Sequence, residues 1–110
     1  MNIDKTKKYT HLKSVQNSAQ EIFTELKNHY SEIKNEHLIV DFSENININI
    51  EELLLFLELS TSHRENGTSF VIVCKDIDID EIPDEINVVP TFTEALDILE
   101  MDAIERDLGF

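Results

Sequence analysis

A chain of 110 residues with 23 Asp and Glu against 9 Lys and Arg has room for one domain. Its formal charge of −14 sets it against nucleic acid and anionic membranes, both of which are bound through Lys and Arg. With 41% hydrophobic and 29% charged residues it has the composition of a folded protein, and no stretch approaches the roughly 18 apolar residues of a membrane-spanning helix. The N-terminus lacks the pattern of an export signal and the lone Cys74 cannot form an internal disulfide, so a cytoplasmic location is expected.

Residues 1–13 hold Lys5, Lys7, Lys8 and Lys13 against Asp4 alone, and read as a basic N-terminal tail or as an edge strand around Tyr9 to Val15. Residues 14–110 form the domain proper in this reading. Ser18 and Glu21 make the S-x-x-E capping pattern of a helix start, and Ala19, Ile22, Phe23, Leu26, Tyr30 and Ile33 follow on one helical face. The nearly continuous apolar run Leu38 to Phe42 predicts a strand buried on both faces.

Asn45 to Ile50 alternates with period two and reads as a strand or an extended linker. Asn49 with Glu52 can also cap a helix through Leu53, Leu54, Leu55, Phe56, Leu57 and Leu59, stopped by Asn66-Gly67. A helix apolar nearly all round needs a second surface to bury, either within the fold or on a dimer mate. Ser69 to Cys74 predicts another buried strand. Asp76 to Glu85 reads as an acidic connection in which Ile77 and Ile79 suit a half-buried strand edge, with room for a helical turn. Asn87 to Pro90 reads as an edge strand, because proline cannot donate to a ladder. Thr91 and Glu94 cap a last helix with Phe92, Ala95, Leu96, Leu99, Ala103 and Ile104 on its face, and Leu108 and Phe110 follow as a staple onto the core or an anchor for a partner. The alternation predicts a single α/β domain with a mainly parallel sheet covered by helices.

Chemistry-bearing patterns fail one by one. Asp76, Asp78 and Asp80 match the start of a calcium loop, but the required glycine is Glu81 and the bidentate glutamate is Asn87. His11, His29, His37 and His63 are scattered singly, without metal-ligand spacing, and His63 reads as a surface group complementing a helix end. Two glycines, Gly67 and Gly109, cannot build a phosphate-cradling loop, and no serine sits in a G-x-S-x-G elbow. No cofactor and no catalytic residue is expected.

Roughly residues 37–104 resemble the STAS family of anti-sigma factor antagonists, with Leu38 to Ser43 as its central strand, the helix from Asn49, and Phe70 to Cys74 as the following strand. There the central strand leads without a gap in spacing to Asp-Ser-Ser-Gly-Leu at a helix start, and Thr91 to Leu96 is similar to the opening of that family's last helix. The resemblance implies a single α/β domain with a mostly parallel or mixed sheet of four to five strands and helices mainly on one face, a partner such as a kinase-like anti-sigma factor, and a phosphorylatable serine. Asn49 stands for the family's aspartate, Ile50 for its phosphorylated serine, Glu51 for the next hydroxyl residue and Glu52 for its glycine, so the usual switch is missing. The chain also resembles short bacterial chains that carry the label ribonuclease Z, but the H-x-H-x-D-H motif of that metal-dependent nuclease is absent.

The sequence thus predicts a non-catalytic protein-binding domain, contacting its partner through Glu44, Asn45, Asn49, Ile50, Glu51 and Glu52, with a homodimer also open. The alternative is an acidic decoy that covers a basic nucleic-acid-binding protein or nuclease with Asp76 to Glu85 and the last helix.

Overall fold

Two four-residue strands set the centre of the molecule: β3 (Leu38–Asp41), apolar but for Asp41, and β4 (Phe70–Val73), apolar throughout, are buried at every position, as strands covered on both faces must be. The computed structural model describes residues 2–14, 18–43, 48–75 and 77–109. Around the two central strands lie β1 (Asn2–Lys5), β2 (Thr10–Lys13) and β5 (Asn87–Val89), in the sheet order β1-β2-β3-β4-β5. β1 pairs antiparallel with β2, and every other pair is parallel, so the sheet is mixed and five-stranded. The strand predicted at an edge near Tyr9 lies second in the sheet, with the fully exposed β1 outside it. β5 takes the opposite edge, where the proline that follows it costs no ladder hydrogen bond.

The helices are α1 (Ala19–Ile33), α2 (Ile50–Leu53), α3 (Leu57–Glu65) and α4 (Phe92–Asp107). Ser18 caps α1 as predicted: its hydroxyl accepts from the Glu21 N–H at 3.1 Å, and the Glu21 carboxylate accepts from the Ser18 N–H at 3.2 Å. The helix predicted to run unbroken from Asn49 is divided by a 3-10 turn, Leu54–Phe56. Leu53 and Phe56, three residues apart, both reach the core through this tighter turn. Phe56 meets Phe23 of α1 and Phe42 beyond β3 edge-to-face, with ring centroids 5.3 and 5.7 Å apart. Gly67 ends α3 with φ +85°, a conformation that side chains with a Cβ resist.

Side-chain alternation along the strands separates two cores. Leu12, Leu38, Val40, Phe70 and Ile72 pack with α1, α2 and the following turn on one face, while Ile39, Val71 and Val73 pack against Ala95 and its half-buried neighbours Phe92, Leu96 and Leu99 on the other. Helices therefore cover mainly one face, and α4 alone serves the second. Its far end is loosely covered: Met101 is 56% exposed, Ile104 57% and Leu108 66%, so Leu108 does not staple the helix end to the core. The acidic connection contains the helical turn allowed for it, a 3-10 turn at Ile79–Glu81, and not the strand edge, because β5 already occupies the free side of β4. Among the described residues, no helix is long and apolar enough to cross a membrane.

Candidate functional site

The predicted contact surface begins where β3 ends. Phe42 extends the β3–β4 pairing by donating its N–H to the Val73 carbonyl at 2.7 Å, and the Asp41 carboxylate accepts from the Ser43 N–H at 2.8 Å, turning the chain out of the sheet. Glu44 and Asn45 lie outside the described residues. The chain re-enters the described part at Ile48, which packs on the main core, and Asn49 adopts extended backbone geometry at φ −108° and ψ 171°. Its side chain accepts from the Glu52 N–H at 2.9 Å, while the Glu52 carboxylate accepts from the Asn49 N–H at 3.1 Å. Two of the predicted contact residues are therefore occupied in starting the helix. Ile50 is half-buried, Glu51 is exposed, and Leu54, one turn after Ile50, is 40% exposed. This leaves an apolar and acidic outer strip on a helix start fixed from within by its cap.

Of the histidines, read from sequence as scattered surface groups, His29 is exposed as expected, while His11, His37 and His63 are placed differently. His11 Nε2 donates to Asp41 Oδ2 at 2.7 Å, and its ring stacks on Phe92 with centroids 4.5 Å apart. The parallel register sets His11 opposite Ile39 and Lys13 opposite Asp41, so the imidazole and carboxylate meet diagonally on the α4 face. Burial would raise the Asp41 pKa, but hydrogen bonds from the Ser43 side chain and backbone and from His11 hold it below the ordinary carboxylate range. With those lone pairs occupied, Asp41 is a satisfied buried carboxylate that ties β2 to β3. An aspartate inside the apolar run Leu38 to Phe42 was the available signal that a partner had to exist.

His63 has no exposed surface. Its Nε2 donates to the Glu36 carbonyl at 2.7 Å, which leaves Nδ1 to accept from the Tyr30 hydroxyl, also at 2.7 Å. Burial lowers its pKa, the Glu36 bond opposing and nearby His37 adding to the shift. His37 in turn accepts from the Ser69 N–H on Nδ1 at 2.9 Å, and burial with the Arg106 charge lowers its pKa against the opposing effect of Asp102. Among the described residues, no group of three His, Cys, Asp or Glu side chains is arranged to hold a metal ion.

A cleft of about 400 Å³ lies between α3 and α4, but the arginines lining it are already engaged, Arg64 with the Glu85 carbonyl at 2.7 Å and Arg106 with the Ser69 hydroxyl at 3.4 Å. Comparison of the chain with protein-family models gives no match, and comparison with curated proteins gives none either.

Proposed function

We propose that this domain acts by binding another protein through the start of α2, without catalysis of its own. The observation that carries the reading is the outer strip of Ile50, Glu51 and Leu54 on a helix start held by the reciprocal Asn49–Glu52 cap. Such a surface offers apolar contact inside an acidic rim, and the rigid cap lowers the ordering cost of docking. The STAS resemblance points to an anti-sigma or kinase-like regulator as the partner. Ile50 has no hydroxyl, so phosphorylation at the family's usual position does not enter the proposal.

A second reading is favoured by one observation: Asp78, Asp80, Glu81, Asp84 and Glu85 are all exposed along one connection. An acidic face of this kind suits a decoy for a basic groove on a nucleic-acid-binding protein or nuclease. The two readings separate in a pull-down from native cells with the tagged protein and an Ile50→Arg, Glu51→Arg double variant, at low and moderate salt. A partner held by the wild type through the salt step and lost by the variant supports α2. A partner that persists on the variant and washes off with salt supports the decoy. Absence of any specifically retained protein at either salt refutes both.

A further inference from the structure

The second face of the sheet carries a groove of about 680 Å³ between the β1–β2 turn and the C-terminal half of α4. Lys7 and Lys8 precede β2 and His37 precedes β3, so it opens at the N-terminal end of these parallel strands, away from the start of α2. Leu96, Leu99 and Ala103 of α4 and the ring of Tyr9 supply its apolar lining.

The rim is cationic in a chain that is otherwise strongly acidic. Lys5 is paired with Glu36 at 3.4 Å, but the ammonium groups of Lys7 and Lys8 have no carboxylate partner among the described residues, although the chain has 23 to offer. Two neutral donors add to them. The His37 ring lines the groove and accepts from Ser69 on Nδ1, so its neutral form carries the proton on Nε2, for which no acceptor is present among the described residues. The Tyr9 hydroxyl is likewise without a side-chain or backbone partner there. Two charged groups of opposite sign, Glu100 and the Ser69-bound Arg106, also line the groove.

We infer that this groove binds a singly charged amphiphile, an alkyl carboxylate of the fatty-acid type, with its carboxylate on Lys7 and Lys8 and its chain along Leu96, Leu99 and Ala103. The volume falls within the roughly 300–1,000 Å³ of small-molecule sites, and an apolar lining with a few convergent donors is their usual make-up. The charge distribution favours one anionic group over many. Counter-charge from two lysines acts locally, within a screening length of about 8–10 Å, whereas an acidic peptide would bring its remaining carboxylates against a chain of net charge −14. A phosphate would find neither a glycine-rich loop nor a helix N-terminus among the groove's residues.

The test is calorimetric titration of the whole chain with dodecanoate below its micelle concentration, beside dodecanol and acetate, with amide NMR shifts to locate the ligand. Dodecanoate is expected to saturate one site and shift the amides of Lys7 to Tyr9 and of α4. Dodecanol should bind at least about tenfold more weakly for want of charge-assisted bonds, and acetate not measurably. Lys7→Gln, Lys8→Gln should weaken dodecanoate by a similar factor without changing the melting temperature, since both side chains are exposed. Ala103→Glu, also at an exposed position, should abolish binding by charging the lining. Non-saturable binding, equal affinity for dodecanol, an unaffected lysine variant or shifts confined to α2 would each overturn the inference. A failure here leaves the proposed α2 surface untouched, because the two sites share no residue.

Discussion

Replacing His63 by Phe removes two hydrogen bonds of 2.7 Å from a side chain with no exposed surface, while keeping a ring beside Tyr30 and Phe70. Each partner left unmade costs about 1–3 kcal/mol. A total loss of about 2–4 kcal/mol is expected above neutral pH, toward the lower part of the range because Tyr30 keeps partial exposure. The stronger test lies in pH dependence. In the unfolded chain His63 takes up a proton near pH 6.5, whereas in the folded protein burial holds its pKa lower. Its contribution is therefore fully present above 6.5 and is lost as pH falls from 6.5 toward the folded-state pKa, with a slope of at most about 1.4 kcal/mol per pH unit. His37, also lowered, contributes in the same direction and remains in the variant. Urea denaturation from about pH 5 to about pH 8 should show stability rising with pH in the wild type and rising clearly less in His63→Phe. Equal slopes in the two proteins would refute the assignment of His63 as a buried neutral imidazole.

Asn49→Ala removes the side chain that accepts the Glu52 N–H and should cost about 1 kcal/mol by thermal melting. Asp41→Asn should flatten the acid limb of stability: the depressed pKa means that the native carboxylate contributes above pH 3.8, and that this contribution is lost as pH falls below it. Acid titration followed by circular dichroism measures the difference. Ser60 is fully buried and its hydroxyl has no hydrogen-bond partner among the described residues, so Ser60→Ala should leave the protein equally stable or more stable by about 1 kcal/mol in the same denaturation assay.

The readable parts of the sequence are those whose signal is local. Ser18 with Glu21, Asn49 with Glu52 and Thr91 with Glu94 all place a helix start correctly, since the cap and its N–H partner lie three residues apart. Leu38 to Asp41 and Phe70 to Val73 announce themselves because strands covered on both faces are nearly continuous apolar runs, Asp41 being the exception that needs a partner. β1 gives no such signal, as all four of its residues are exposed and its pairing rests on backbone hydrogen bonds with β2. His63 and Ser60 take buried positions on α3 while Leu57 and Leu59 stay half-buried, an outcome decided by Tyr30 and the Glu36 carbonyl on distant parts of the chain. The predicted surface is legible to the same degree. Its cap follows from spacing, whereas the pairing of Asp41 with His11 needs the β2–β3 register. The groove beside α4 joins a turn to a helix at the other end of the chain, which no local pattern encodes.

The consecutive strand order has a bearing on how the chain is made. β2 pairs with β1, β3 with β2, β4 with β3 and β5 with β4, so each strand leaving the ribosome finds its neighbour already synthesised. Growth is one-directional, and no strand has to be inserted between two that have already joined. Until α4 emerges, the face formed by Ile39, Val71 and Val73 has no helix to cover it. The nascent domain therefore carries one open apolar flank from the emergence of Val73 until the last helix closes it.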